Sequence, residues 1–224
     1  LVGEGLNQSV ELSWSDLNAS GTDDFVYDNG SFTNAITMNE GVAWAGERID
    51  LAGGSTINSI EVCNYTQNTE SNIPVAVFGQ FGSLFGNEAA YETTITVSPG
   101  DCGSVDVSWS MENSYIIAHQ FRDTFSAALD ESAGGTGHSM AMLNAGWDSW
   151  SDLAAGAGLP DGEWGIRANV TYDGAGATYN VYQDGIMVQS SIGDNTSTVS
   201  DLVNNQTYSF SVSASYNDGV DESI

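Results

Sequence analysis

Short segments in which apolar and polar residues alternate follow one another along most of the chain. In the segment 9–16, the apolar residues occupy every second position: Val10, Leu12 and Trp14. The same period of two recurs in three later segments, at 91–97, 105–111 and 164–170. Clusters of Gly, Asn, Asp or Pro separate these segments, as turns separate strands. The pattern predicts an all-β fold of packed sheets.

Two patterns near the C-terminal end of the sequence are more specific. Asp184 and Gly185 lie between two strand-like runs and supply the positive φ angles of a type I′ hairpin turn. In 208–216, serines alternate with larger residues, namely Tyr208, Phe210, Val212, Ala214 and Tyr216. This strand should have one buried and one solvated face. The segment 123–133 is the one helix candidate, but it is short and uncapped, so we predict no helix.

The charge balance is strongly acidic. The 224 residues include 30 Asp and Glu against 3 Lys and Arg, which gives a formal net charge of −27. Such a charge repels phosphate backbones and anionic lipid, so we expect no nucleic-acid partner and no membrane-surface binding. The sequence has no run of about 18 apolar residues, so we also predict no membrane span.

The two cysteines, Cys63 and Cys102, are an even number in a chain that otherwise looks secreted. We predict a disulfide between them and an extracellular or cell-surface location. Two buried free thiols are the alternative.

Several quoted segments carry a family resemblance. "YNVYQDG", "SVELSW" and the spacing from Leu202 to Tyr208, which looks like a tyrosine corner, resemble a fibronectin type III or immunoglobulin-like domain of secreted bacterial proteins. "YDNGSFTNAI", "WAGERIDL" and "EWGIRANV" resemble the jelly-roll modules of bacterial surface adhesins. The resemblance implies a jelly-roll β-sandwich at 21–172, inserted into an immunoglobulin/fibronectin-III-like β-sandwich formed by 1–20 and 173–224. It also implies that 9–16 pairs with the hairpin 179–188 within one sandwich.

Candidate chemistry is sparse. His138 and Ser139 are adjacent but lack the spacing of a hydrolytic triad, and His119 lies on an apolar strand, so we expect no enzyme. Three acidic residues lie close together in sequence and are candidate ligands of a structural Ca²⁺, with a solvated turn as the alternative: Asp23, Asp24 and Asp28. Two tryptophans are candidates for stacking on a glycan, with rings that cap the core as the alternative: Trp147 and Trp150.

The resemblance implies a seventh strand beside 208–216, and we expect it to be missing or barely begun; the alternative is a fragment whose last strand is cut off or disordered. An open edge of this kind accepts a strand from another chain. The acceptor edge would comprise Tyr208, Phe210, Val212, Ala214 and Tyr216, and the donor strand would be Leu1, Val2, Gly3, Glu4, Gly5 and Leu6. We therefore expect a structural subunit of an extracellular fibril or surface filament, in which copies of the chain form a head-to-tail homopolymer. The alternative is a carbohydrate- or surface-binding adhesin module of a larger secreted protein.

Overall fold

The computed structural model describes residues 2–6, 8–16, 19–37, 43–51, 53–69, 71–122, 125–143, 146–174, 176–216 and 221–222. Over these residues the chain is all-β, as the alternating pattern predicts. The strands are, in chain order, β1 (Val2–Leu6), β2 (Ser9–Ser13), β3 (Gly21–Phe25), β4 (Asn34–Ile36), β5 (Trp44–Ile49), β6 (Gly54–Cys63), β7 (Asn72–Phe81), β8 (Leu84–Phe85), β9 (Tyr91–Thr96), β10 (Cys102–Glu112), β11 (Tyr115–Gln120), β12 (Ala127–Asp130), β13 (Ser139–Leu143), β14 (Gly146–Ser149), β15 (Glu163–Trp164), β16 (Ile166–Tyr172), β17 (Thr178–Gln183), β18 (Ile186–Ile192), β19 (Thr196–Val199), β20 (Phe210–Tyr216) and β21 (Asp221–Glu222). The described helical segments are a 3₁₀ turn at Glu131–Ala133 and the helix α1 (Trp150–Ala157).

The strands form two compact units. Residues 21–172 make up one of them, which we call the continuous unit. Residues 1–20 and 173–224 make up the other, which we call the split unit. The split unit therefore takes its strands from two distant parts of the sequence.

Two large antiparallel sheets face each other in the continuous unit. One has the strand order β10-β6-β16-β3, and the other has the order β14-β13-β5-β11-β7, with β8 and β9 both paired to β7. A small third sheet has the order β15-β12-β4. Side chains of both large sheets meet in one buried cluster, for example Ile57 and Val170 from the first and Val75 and Ile117 from the second. The arrangement is a β-sandwich, and its assignment as a jelly roll stays a prediction.

The period of two explains which side chains fill this core. The alternate residues of the segment 164–170 are all buried, namely Trp164, Ile166, Ala168 and Val170. In β10, Val105, Val107 and Trp109 pack against the core, while the residues between them are exposed. Strands with this pattern have one face on the core and one in water, as predicted.

The second large sheet is buried on its outer face as well. A separate cluster there contains the residues that alternate with the core residues, namely Trp44, Ala76, Phe78, Ile116, Ala118, Met140 and Met142. Phe85, Ala89 and Trp147 pack against this cluster. Because β11 and β13 are apolar at successive positions, they suit a sheet that is covered on both faces.

The helix α1 is a feature that the sequence analysis does not predict. Trp150 and Ala154 are four residues apart, so they lie on one helix face, and both are buried. Gly158 ends the helix in the left-handed conformation, with φ 67°. The helix candidate 123–133, by contrast, contains the strand β12 and the 3₁₀ turn among its described residues.

Cys63 and Cys102 form the predicted disulfide, with an S–S distance of 2.00 Å. The two residues lie directly opposite each other in the pairing of β6 with β10. The bond therefore joins neighbouring strands of one sheet, and the alternative of two free thiols is excluded.

The split unit has two small antiparallel sheets, with the orders β1-β2-β19 and β18-β17-β20-β21. Leu12, Val181 and Val199 form its buried centre. Trp14 packs on Tyr179, with ring centroids 5.3 Å apart, so β2 faces β17 across this core. The prediction that 9–16 pairs with the hairpin is corrected in one respect: β2 hydrogen-bonds with β1 and β19, and it contacts β17 through side-chain packing.

Two predicted local features of the split unit are present. Asp184 and Gly185 have φ angles of 51° and 81°, as a type I′ turn requires. The hydroxyl oxygen of Tyr208 accepts a hydrogen bond of 2.9 Å from the Val203 N–H, which is the contact that the tyrosine-corner spacing predicts. The Tyr208 contact fixes the chain directly before β20.

Removing the disulfide should destabilise the continuous unit. The Cys63→Ala/Cys102→Ala double variant should lose about 4 kcal/mol of unfolding free energy, because the bond closes a loop with a sequence separation of 39 in the unfolded chain. Urea unfolding followed by tryptophan fluorescence would measure the change, and the wild-type chain in reducing buffer is the control. Equal unfolding midpoints for the oxidised wild type and the double variant would contradict the prediction.

Candidate functional site

The strand β20 is the edge that the sequence analysis predicts as an acceptor. On one side, β17 pairs with β20 from Phe210 to Ser215. On the other side, β21 pairs with β20 at Ser215 and Tyr216. Among the described residues, positions 210–212 therefore have a strand partner on one side of β20 alone.

The ladder indicates which backbone groups point out of this edge. In an antiparallel pair, the N–H and C=O groups of successive residues point alternately toward and away from the partner strand. Ser209 points toward the hairpin, because its carbonyl accepts from Asp184 N at 2.8 Å and its N–H donates to Asp184 Oδ1 at 2.9 Å. The backbone groups of Phe210 and Val212 therefore point away from β17, toward the open edge.

Side chains of the predicted acceptor residues pack in the core of the split unit. Phe210 and Val212 are half-buried against the cluster around Leu12, and Ala214 is buried. The side chain of Tyr216 lies outside the described residues. One position of the predicted solvated face differs, since Ser213 is buried. An added strand would therefore meet backbone groups at this edge more than apolar side chains.

The predicted donor stretch, 1–6, is already paired within its own chain. β1 pairs with β2 over its whole length, from Val2 opposite Ser13 to Leu6 opposite Ser9. Leu1 and the side chains of 3–6 lie outside the described residues. The pairing corrects the prediction of a strand that is free to be donated. In the order β1-β2-β19, β1 is an edge strand, so over the described residues one of its sides has no strand partner.

The strand β18 forms the opposite edge of the four-stranded sheet in the split unit. Its first three residues are unusually exposed for apolar side chains: Ile186 by 71%, Met187 by 48% and Val188 by 43%. Successive residues lie on opposite faces of a strand, so both faces of this edge are apolar. The β18 edge is not among the predicted sites, although three apolar residues directly after an Asp-Gly turn were a usable signal for it. An apolar edge is a second place where another chain could add.

The three candidate Ca²⁺ ligands are engaged by other side chains. Asp28 is buried and accepts two hydrogen bonds from Arg167, from Nη2 to Oδ1 at 2.6 Å and from Nε to Oδ2 at 2.9 Å. Asp23 accepts from the Tyr172 hydroxyl, and Asp24 accepts from the Asn169 amide. Over the described residues, these carboxylates do not converge into one group of ligands. The structure therefore does not bring the three candidate ligands together, and a structural Ca²⁺ at these residues stays a prediction.

The two candidate glycan-stacking tryptophans pack inside the continuous unit. Trp150 is 0% exposed and lies against Trp164, with ring centroids 4.7 Å apart. It cannot stack on a sugar, so the prediction is wrong for this residue. Trp147 is half-buried, meets Phe78 edge to face, and donates from Nε1 to the Gly86 carbonyl at 3.0 Å. These contacts support the alternative, in which the ring caps the core.

Both histidines pack against aromatic rings of the protein. His119 is buried against Phe125, and burial lowers its pKa to about 4, so its ring is neutral at pH 7. The ring of His138 stacks on Tyr27 at 4.0 Å and donates from Nδ1 to the Arg48 carbonyl at 3.0 Å. Ser139 does not use His138 as a base: its hydroxyl oxygen lies 2.6 Å from a carboxylate oxygen of Glu47 and 2.8 Å from one of Glu163.

The sequence analysis missed these two buried carboxylates. Glu47 lies in β5 between Ala45 and Ile49, in phase with residues of the main core. An acidic residue at a core position of an alternating strand was the available signal. Glu163 directly precedes Trp164 and gives no such pattern.

Comparisons with known proteins do not assign this chain to a family. No protein-family model matches it, and no curated protein or solved structure is significantly similar to it. Over the described residues, no helix has the length and apolar character that crossing a membrane requires.

Proposed function

We propose that the chain is a structural subunit of an extracellular fibril or surface filament, in which copies join by β-strand addition. The observation that carries this proposal is the edge of β20 at 210–212, which has no second strand partner over the described residues and where the backbone N–H and C=O groups of Phe210 and Val212 point away from β17. Unpaired strand edges are templates for another chain. The proposed partner is a second copy of this chain.

The edge of β1 is the proposed complement. β1 keeps β2 as its partner on one side and offers its other side to β20 of the next copy. No strand has to leave its own unit, so the contact replaces solvated backbone groups without first breaking a ladder. Each hydrogen bond formed at the edge would contribute about 1 kcal/mol net. Because β1 and β20 are different surfaces, the contact is head-to-tail and propagates instead of closing into a dimer.

Other observations support an extracellular setting. The Cys63–Cys102 disulfide suits an oxidising compartment. A chain without Lys, with a net charge of −27, suits an exterior that is rich in salt or cations.

A carbohydrate- or surface-binding module is a second candidate, favoured by one observation. A cavity of about 310 Å³ lies on the outer face of the sheet β10-β6-β16-β3 and is lined in part by Asp24, Glu61, Arg167 and Asn169. Carboxylate, guanidinium and amide groups can hydrogen-bond to sugar hydroxyls. Monodisperse particles that bind a polysaccharide would favour this function over the filament.

Blocking the β20 edge should stop assembly. We expect Val212→Pro to fold, because a proline whose N–H would face outward is tolerated on an edge strand. It should form no filaments in negative-stain microscopy, since it lacks one outward donor at the acceptor. Met187→Pro makes the same change on the opposite edge, β18, because Met187 lies opposite Tyr182, whose backbone groups face β20, and it should assemble normally. If Met187→Pro abolishes filaments and Val212→Pro does not, β18 is the acceptor and our assignment is wrong.

Deleting residues 1–6 should give folded monomers that do not polymerise, because the proposed donor edge is gone. Adding a synthetic peptide of residues 1–6 to the wild-type chain should shorten filaments by capping open β20 edges. Circular dichroism would check that the truncated chain keeps its strands. Filaments of normal length from the truncated chain would show that another segment is the donor.

Assembly should depend strongly on ionic strength. Each copy carries a net charge of −27, so association of copies must overcome mutual repulsion. Raising NaCl from about 0.01 M to about 0.15 M shortens the screening length from about 30 Å to about 8 Å. The critical concentration for filament formation, measured by sedimentation, should therefore fall. A critical concentration that rises with salt would indicate that attraction between opposite charges drives the contact.

A further inference from the structure

Two carboxylates of the continuous unit are buried, and no basic side chain among the described residues pairs with either. Glu47 is 1% exposed and Glu163 is 0% exposed. The hydroxyl oxygen of Ser139, which is also buried, lies 2.6 Å from Glu47 Oε1 and 2.8 Å from Glu163 Oε2. The three side chains come from β5, β13 and β15 and form one polar cluster inside the sandwich.

The hydrogen-bond donors of the described residues do not reach every carboxylate oxygen of this cluster. The Ser139 hydroxyl has one proton, so it can donate to only one of the two carboxylates. Trp164 N donates to Glu47 Oε1 at 2.7 Å, and Thr136 N donates to Glu163 Oε1. Glu47 Oε2 is fully buried and has no hydrogen-bond partner among the described residues. A buried carboxylate oxygen without any partner carries a large desolvation penalty.

The negative charge of the two carboxylates is not offset by a basic side chain among the described residues. The chain has no Lys, and two of its three Arg are engaged elsewhere: Arg48 with Asp50, and Arg167 with Asp28 and Glu61. Within the described residues, no ion pair includes Glu47 or Glu163. Burial raises the pKa of Glu47 well above its usual value, and the negative charges of Glu163 and Asp28 add to this effect. The cluster therefore attracts positive charge from solution.

We propose that Glu47, Ser139 and Glu163 form a buried binding site for a hard divalent cation of the Ca²⁺ type. Carboxylate and hydroxyl oxygens are the ligands that such ions prefer. A divalent ion neutralises both carboxylates and gives Glu47 Oε2 the partner that it lacks. The Ser139 oxygen can ligate through a lone pair while its proton stays with one carboxylate. The exposed glycine-containing loop at 134–137, directly before β13, is the proposed route of entry.

Thermal unfolding of the full chain with and without Ca²⁺ tests the proposal. After EDTA treatment at pH 7, about a hundredfold excess of Ca²⁺ over its dissociation constant should raise the melting temperature of the wild type by about 5–10 °C. Glu47→Gln and Glu163→Gln should lose most of this rise. Glu92→Gln, which changes an exposed acid on β9 of the same unit, should keep it. An equal ionic strength of NaCl should not reproduce the wild-type shift.

The main competing outcome is a cluster that holds a proton and no metal. In EDTA, the raised pKa of Glu47 means that the folded state binds more protons than the unfolded state, so stability should fall as the pH rises above about 4.5. Glu47→Gln should weaken this fall relative to Glu92→Gln. If that pH effect is present but Ca²⁺ shifts the wild type no more than it shifts Glu47→Gln, the metal site is refuted.

A direct readout covers the case in which the glutamine variants do not fold. Tb³⁺ replaces Ca²⁺ at oxygen sites and emits when a nearby tryptophan is excited, and Trp164 adjoins both carboxylates. The wild-type chain should give saturable Tb³⁺ emission that Ca²⁺ displaces with a stoichiometry of one. Emission that does not saturate, or that NaCl removes equally well, would indicate surface binding by exposed acids and would overturn the proposal.

Discussion

The antiparallel pairing of β3 with β16 is the constraint on which the two-unit organisation depends. Its register runs from Phe25 opposite Ala168 to Gly21 opposite Tyr172, so the first and last residues of the continuous unit are neighbours. Gly21 permits this close approach, since a Cβ there would lie 3.0 Å from the Tyr172 hydroxyl oxygen. A folded segment whose ends meet behaves like a short loop toward the rest of the chain. The split unit can therefore pack β2 against β17 although a long stretch of sequence separates them.

The sequence predicts those features whose physical cause is local. In β10 and β16 the alternation alone decides which side chains enter the core, and residues such as Val107 and Val170 follow it. The Asp184-Gly185 turn and the contact between Val203 and Tyr208 depend on residues a few positions apart, so their spacing is sufficient. The disulfide was predictable for a different reason, because two cysteines allow a single intramolecular pairing.

Features that depend on distant neighbours were not predictable. The successive apolar residues of β11 indicate that both faces of its sheet are covered, but no local pattern shows that side chains from β8 and β14 cover the face formed by Phe78 and Ile116. The core phase of Glu47 in β5 marks this acid as unusual, but the neighbours Ser139 and Glu163 come from distant strands and are not predictable from that pattern. The sequence also suggested that 1–6 was free to be donated. In the structure β1 pairs with β2 instead, and the composition of 1–6 gives no sign of this pairing.

At both proposed sites, negative charge lacks a basic partner because the chain has few basic residues. The charge is exposed at one site and buried at the other, so it responds differently to ions. At the β20 edge, the opposing charge is spread over the surface of two copies, so dissolved salt of any kind screens it, and the screening strengthens as the ionic strength rises. At Glu47, the charge is buried beyond the reach of screening, so dissolved salt does not weaken it, and only a proton or a cation that enters the cluster can neutralise it. The two effects also act on different units, since β20 belongs to the split unit and Glu47 to the continuous unit. Salt that favours association without raising the melting temperature of the continuous unit, and Ca²⁺ that raises this temperature at constant ionic strength, would therefore report on separate sites.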